Sequence, residues 1–280
     1  MPNHSSFALV DCRPTAAFYQ GHHRDAINIP VFELSQRLHE LPKRNQALQL
    51  CGDPASLLQA HTLLSGKGYE IQHSIEWTNA YADQLMHQGL LQLGTSQVRL
   101  WNAGGLVQRF LEDIAPQYNI QPRVGLDLAC GAGRDTVYLA LHGWQMTGVD
   151  YLPGAIQRTQ QLAQQQQVTV STLLLNLENS ANPFTNCGLA TQRFDLICVA
   201  RYLHRPLLPL LPHLLAPGGI LLYQTFMQGS EQFGSPRNPN YLLRPHELAQ
   251  TFVNLAILLD EIEYLEDGRP LSAFIARRPL

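Results

Sequence analysis

Residues 126–135 read LDLACGAGRD, an apolar run that stops at two glycines and then turns charged. Such a turn between strand and helix lets a ligand approach the backbone, because Gly131 and Gly133 carry no Cβ to obstruct it. Charge then selects the ligand. Asp127 lies at the strand end and Asp135 at the helix start, so a pyrophosphate bound here would meet two carboxylates. The G-x-G-x-x-G register of dinucleotide sites is also broken, with Thr136 where the third glycine would stand. A ligand carrying a sulfonium and an ammonium, S-adenosylmethionine, is favoured beside the same carboxylates. Asp150 ends WQMTGVD, nineteen residues beyond Gly131, where an acidic side chain takes both hydroxyls of a ribose. That spacing suits either ligand, and the charges choose the cation. Asp135 has a plainer use as well, as a first-turn carboxylate that complements the helix dipole.

A second reactive residue type is Cys51, in LQLCGDPASLLQAHTLL. A cysteine at the opening of a helix, with backbone N–H groups converging on it, has a lowered thiol pKa and can act as a nucleophile. Asp53 and Pro54 work against this, one by adding negative charge and the other by removing an N–H. Cys130, within the glycine turn, reads as a small buried hydrophobe. Further along, ARYLHRPL sets Tyr202, His204 and Arg205 after one strand. QTFMQGSEQFGSPRNPNYLLRPHEL sets Arg237, Asn238, Tyr241 and Arg244 after the next. The longer stretch is a candidate lid over the carboxyl ends of the strands, where open α/β sheets bind ligands. Arginines with a single histidine suit a small anionic or soft partner, whose displacement chemistry requires alignment and desolvation more than a base. The 11 histidines and five cysteines show no metal-ligand spacing, and no metal is expected.

These residues need two strand-and-helix systems to position them. In the first, ALVD, ALQL and YEIQ alternate with helical AAFYQ, VFELSQRLHEL and PASLLQAHTLLSGKG. In the second, RVGLDLAC, WQMTGVD, TVSTLLLNLE, FDLICVA and GGILLYQTF alternate with helices, and LDEIEYL and PLSAFIARR follow as a hairpin about Asp267-Gly268. The expected fold class is α/β, with domains at residues 1–92 and 93–280. Charged residues make up 15% of the chain and the formal net charge is −3, which gives no footprint for nucleic acid or an anionic membrane. The start, MPNHSSFALVDCRP, lacks the basic region of a signal peptide, and no apolar run reaches membrane-spanning length. Five cysteines without a CxxC pair fit a reducing compartment, so a cytoplasmic location is expected.

DLACGAGRD, MTGVD, FDLICVA and LAPGGILL resemble, in order and spacing, the motifs of class I S-adenosylmethionine-dependent methyltransferases. The resemblance covers about residues 97–280 and implies a Rossmann-like seven-stranded sheet with S-adenosylmethionine as cofactor. It implies that Asp127, Ala129, Gly131 and Gly133 hold the methionine end, Asp150 the ribose, and Asn176 with Leu177 the adenine edge. Ala129 stands where a glycine is common, and its cost is small if φ is negative. Asn176 stands where an aspartate is common, and its carbonyl can still accept from the adenine amino group. GRDTVYLALHGW resembles the branch of tellurite-resistance and small thiol methyltransferases. No Asn-Pro-Pro-Tyr follows the fourth strand, so amide and exocyclic-amine acceptors lose support. A thiol, sulfide or metalloid oxyanion acceptor is expected, with Tyr202, His204 and Arg205 beside the transferred methyl and Arg237, Asn238, Tyr241 and Arg244 binding the substrate.

The first half resembles the rhodanese-like domain through Asp11 and Arg13, then Gly21, His22, Ala26, Asn28, Ile29 and Pro30, then Cys51. Ser56 stands where an arginine often follows the cysteine. The resemblance leaves two roles open: sulfur transfer by Cys51, or a docking module that brings a protein acceptor.

Overall fold

In the computed structural model the chain forms two compact units, Met1–Asn102 and Ala103–Leu280. The structure describes residues 8–185 and 187–280; residues 1–7, part of the start read above for a leader, lie outside them.

In the first unit the wholly buried strand β1 (Ala8–Asp11) is flanked by β2 (Ala26–Asn28) and β3 (Leu48–Gly52), and β4 (Ile71–Glu76) lies outside β3. All four run parallel. Helices α1 (Thr15–Gln20), α2 (Pro54–Gly66) and α3 (Asn79–His87) link and follow them. Val10, Ile29, Leu48, Leu50, Ala60 and Leu64 interlock as the core between the sheet and α2. The expected helix over VFELSQRLHEL does not form: the segment is a run of turns ending in a 3-10 helix at Leu38–Glu40. The Arg37 guanidinium donates to Glu33 (2.8 Å), Glu40 (2.6 Å) and the Asn28 carbonyl (3.1 Å). The bond to Asn28 O ties the segment back to the end of β2, while the two glutamate pairs have the i,i+4 and i,i+3 spacing that a helix would also give.

The second unit starts with α4 (Gly105–Arg109), which continues through a π-turn at Phe110–Ile114. Then come β5 (Val124–Leu128), α5 (Arg134–Leu141), β6 (Gln145–Asp150), α6 (Pro153–Gln165), β7 (Ser171–Leu174), β8 (Phe194–Ala200), β9 (Leu215–Phe226), α7 (Glu247–Thr251), β10 (Ala256–Tyr264) and β11 (Pro270–Arg277). They form one seven-stranded sheet of order β10-β11-β9-β8-β5-β6-β7. The strands from β9 to β7 are parallel, and β11 is antiparallel to both of its neighbours. This is a Rossmann-like α/β fold with a mixed sheet. Strand order doubles back between β5 and β8, which opens a crevice over their carboxyl ends. Phe184, Phe194, Leu221 and Phe274 are among the buried residues of the core, each worth about 1.5–3 kcal/mol of burial.

Two details depart from expectation. The hairpin loop spans residues 265–269, with Gly268 at φ +86° and its N–H donating to Leu265 O, so a wider bulged turn replaces the two-residue turn at Asp267-Gly268. Between β8 and β9, Pro206, Pro209 and Pro212 limit the chain to a 3-10 turn at Arg205–Leu210 and a short helix at Leu211–Leu214. Among the described residues no helix is long and apolar enough to cross a membrane.

The stretch after β9 folds back over the strand ends. Leu243 donates to Phe226 O and Gln228 to Leu243 O, both at 2.9 Å. Arg205 clasps the far side, donating to Glu247 (2.6 Å) and to the carbonyls of Asn240 and Leu242 (2.8 Å each). Burial alone would raise the Glu247 carboxyl, but Arg205 and the Arg244 backbone outweigh it and hold the group down at about 2. Arg205→Leu leaves that carboxylate buried without its main partner. The expected cost is about 2–3 kcal/mol, less than for a fully buried pair because Arg205 is partly exposed. Glu247→Gln in the same background should recover part of it, and urea unfolding midpoints of the single and double variants check both.

Candidate functional site

The glycine turn lies between β5 and α5. Gly131 and Gly133 have φ of +58° and +78°, the left-handed region that glycine enters without strain. A Cβ on Gly133 would stand 2.5 Å from Thr159 Cγ2 on α6, so glycine there lets two helices close on the turn. A Cβ on Gly131 would meet nothing within 4 Å, which leaves the space beside that residue open to a ligand. Ala129 overturns the expectation of negative φ, because its φ is +58°. The bend is imposed by the tight exit from β5, and alanine bears the strain at the position where a glycine was expected.

Three carboxylates surround this turn. Asp150, at the end of β6, accepts from the Gly131 N–H and the Leu152 N–H at 2.9 Å each, which joins the first strand–helix turn to the second. Asp127 is buried and accepts from Thr136 Oγ1 at 2.5 Å. Burial and the Asp135 carboxylate push its carboxyl up to about 8, with Thr136 opposing. Asp135 accepts from the Gly104 N–H at 2.6 Å; burial raises it, while that N–H and the charges of Arg134 and Arg201 oppose the rise. Asp127 keeps its proton at neutral pH, and the Asp135 and Asp150 side chains flank the turn, a setting that suits a cationic ligand better than a pyrophosphate. Asn176 accepts from the Glu178 N–H at 2.9 Å and keeps its amide nitrogen for another partner, and Leu177 is buried next to it.

Over the carboxyl ends of β8 and β9 lies a cavity of about 510 Å³. Of the expected acceptor residues, Tyr202 and Tyr241 line it. Tyr202 donates to Glu178 at 3.3 Å, and burial with the Glu178 charge raises its hydroxyl, so it stays protonated. His204, Arg205, Arg237, Asn238 and Arg244 are not in the lining. Arg205 and Arg244 bind Glu247, and Asn238 accepts from the Asn240 N–H to cap the 3-10 helix Pro239–Tyr241. In their place stand Glu178, Arg201, Phe226 and Arg269. Arg201 had a legible signal, since it directly follows the strand FDLICVA; Arg269 reaches the cavity from the hairpin turn, and nothing local in its sequence marks it.

Cys51 has a different setting from the one expected of a nucleophile. It sits within β3, 1% exposed, packed with Leu9, Phe18 and Ala26. Burial pushes its thiol up to about 12, with Asp11 adding to the rise and Arg13 opposing it. The N–H groups that open α2 are taken by Asp53, whose carboxylate accepts from Ala55 and Ser56. A protonated, covered thiol does not supply the thiolate that sulfur transfer needs. The neighbouring motif residues interlock: Arg13 pairs with Asp11 at 2.6 Å, donates to Gly21 O at 2.7 Å and lies 3.5 Å from the Trp77 ring centroid. Asn28 donates to the carbonyls of Asp11 and Arg13.

Residues 126–219, from β5 into β9, match the family model described as a methyltransferase domain. The second unit is an S-adenosylmethionine-dependent methyltransferase domain. A curated relative, uncharacterized protein UNK4.09 of Schizosaccharomyces pombe, is 23% identical over 314 residues, covering 96% of this chain and 93% of its own length. TehB from Haemophilus influenzae is similar in structure, with a TM-score of 0.50 and 21% identity over 63% of this chain and 62% of that chain. The N-methyltransferase NodS from Bradyrhizobium japonicum, solved with S-adenosyl-L-homocysteine, gives a TM-score of 0.47 and 21% identity over 62% of this chain and 86% of its own.

Two expectations concern the turn of the methyltransferase domain. Because Asp127 is raised from 3.8 to about 8, across that window the folded chain keeps a proton that the unfolded chain has released. Its contribution to stability is full below pH 3.8 and falls as pH rises through about 8. Asp127→Asn should flatten that fall, and denaturant titrations at pH 5 and pH 8 test it: unchanged pH dependence would contradict the assignment. Ala129→Gly should stabilise the chain by about 0.5–1 kcal/mol, since about 1–2 kcal/mol of left-handed strain is relieved against about 0.5–1 kcal/mol of added backbone entropy. Thermal unfolding checks the sign.

Proposed function

We propose that the enzyme transfers the methyl group of S-adenosylmethionine to a small acceptor that is soft, anionic or both, held in the cavity over β8 and β9. The observation that carries this reading is the difference in charge across the crevice: acidic side chains ring the glycine turn on one side, and the cavity on the other is lined by Arg201, Arg269 and aromatic rings, with Glu178 bound to Tyr202 as its one carboxylate among the described residues. When bound, S-adenosylmethionine supplies an electrophilic methyl group on a sulfonium. Asp127 and the Gly131–Gly133 backbone would hold its methionine end, Asp150 its ribose, and Asn176 with Leu177 its adenine. Tyr202, fixed by Glu178, shapes the wall nearest the strand ends and keeps its proton. The acceptor's lone pair forms the new bond to the methyl carbon as the bond to the sulfonium sulfur breaks, and an acceptor that arrives as an anion requires no base from the protein.

The interlocked Asp11, Arg13, Gly21 and Asn28 support reading the first unit as a rhodanese-like domain, and buried Cys51 favours docking over sulfur transfer there. A protein acceptor brought by that unit is the second reading. Calorimetry should show binding of S-adenosylmethionine and none of NAD. Asp150→Ala should weaken cofactor binding by at least about 100-fold, because two charge-assisted hydrogen bonds are lost. Methyl transfer from labelled cofactor to thiols, sulfide, tellurite and protein fractions identifies the acceptor class; label that enters protein alone replaces the small-molecule reading.

A further inference from the structure

Two guanidinium groups share one aromatic ring in the cavity wall. The Cζ of Arg201 lies 4.8 Å from the Phe226 ring centroid, and that of Arg269 lies 4.9 Å from the same centroid. Arg269 is anchored, donating to Asp267 at 2.9 Å and to the Ser235 carbonyl at 2.5 Å. Arg201 holds its backbone at φ +58° and donates its main-chain N–H to Gln224 O at 2.7 Å. Its guanidinium has no hydrogen-bond acceptor and no carboxylate within ion-pair distance among the described residues. The surrounding acids are engaged elsewhere: Asp267 by Arg269, Glu263 by Gln224, and Asp135 by the Gly104 N–H. Two like charges drawn to one ring repel each other, and an anion between them turns that repulsion into attraction.

The shape of the anion follows from the walls. Guanidinium forks match planar, two-oxygen acceptors, which is the geometry of a carboxylate. The cavity is about 510 Å³, lined by Phe226, Leu203, Tyr202, Pro236 and Tyr241 with Glu178 and Ser235, whereas a sulfide fills one water's share of about 30 Å³ and an oxyanion only a few such shares. An apolar lining of that size buries an organic body. Phe226 and Arg269 stand by β9 and β11, away from the glycine turn and Asp150 after β5 and β6, whereas Arg201 ends β8 beside β5 and its charge acts on Asp135, so its variants are read against cofactor binding as well.

Resting on the methyltransferase reading of the site, we infer that Arg201 and Arg269 form a carboxylate clamp for the methyl acceptor, and that the acceptor is an organic acid with an aromatic or other apolar body. Sulfide and metalloid oxyanions are then too small to be its principal substrates.

The test titrates 4-(methylthio)benzoate into the full-length protein saturated with S-adenosylhomocysteine, with thioanisole as the neutral twin and phenylacetate and cinnamate as further carboxylates. The expected result is binding of the carboxylate to wild type, weakened about 10-fold or more in Arg201→Gln and Arg269→Gln and by a similar factor for thioanisole. Arg201→Lys, which keeps the charge and loses the fork, should fall between. Equal binding of the neutral twin, no effect of either substitution, or no binding by any carboxylate of the panel would overturn the clamp. So would an Arg201→Gln variant that loses S-adenosylhomocysteine in step with the carboxylate, because that arginine would then serve the cofactor. If wild type takes up no S-adenosylhomocysteine, the methyltransferase reading fails on its own account, and the clamp is judged by the same titrations without it.

Discussion

The site depends on holding three carboxylates around a single backbone bend. Asp127, Asp135 and Asp150 would push one another apart in a turn made only of side chains. Here each is held by a neutral donor fixed in the main chain or on a packed helix: Thr136 Oγ1, the Gly104 N–H, and the N–H groups of Gly131 and Leu152. Burial and Asp135 leave Asp127 protonated up to about pH 8, so the three side chains do not carry three charges, while the N–H groups of Gly131 and Leu152 orient the Asp150 carboxylate at the crevice without cancelling its charge. Gly133 is part of the same device. Its missing Cβ lets Thr159 close on the turn, and Thr159 in turn contacts Cys130 Sγ and the Gly131 carbonyl.

Positive charge is divided by a different rule. Arg205 and Arg244 are saturated by Glu247 and serve the stretch that folds over the strand ends, so their charge is spent on structure. Arg269 is paired with Asp267, while Arg201 has no carboxylate within ion-pair distance among the described residues. Strand order makes the division possible: acidic groups follow β5 and β6, Arg201 follows β8 and Arg269 precedes β11, and the doubling back at β5 and β8 brings the two halves to one crevice. On the proposed function, a cationic donor and an anionic acceptor would enter from sides whose potentials match them.

Legibility in the sequence followed the range of the interaction that set each feature. Strands such as ALVD and FDLICVA are short apolar runs bounded by polar or turn residues, and their burial alone places them; both are strands in the structure. The glycine turn and its junction with Asp150 were legible because strand, turn and acid lie within a few dozen residues along the chain. VFELSQRLHEL has helical periodicity, yet it forms turns, and Arg37 ties it to the Asn28 carbonyl nine residues back. Likewise Arg205 meets Glu247 across 42 residues, a pairing that no local pattern announces.

Cys51 shows why residue type at a motif position is weaker than its surroundings. The motif residues around it are intact, and they pack as a unit: Asp11 and Arg13 under Trp77, Asn28 across both carbonyls. What distinguishes a reactive thiol is a set of converging N–H groups and access to solvent. In this chain Asp53 consumes the first and β3 denies the second. A negative side chain at the helix cap stabilises α2 by the same dipole that would otherwise lower the thiol pKa, so the helix cannot serve both ends at once. In the first unit Asp11, Arg13 and Asn28 pack together, while the N–H groups that could lower a thiol pKa hold the cap of α2.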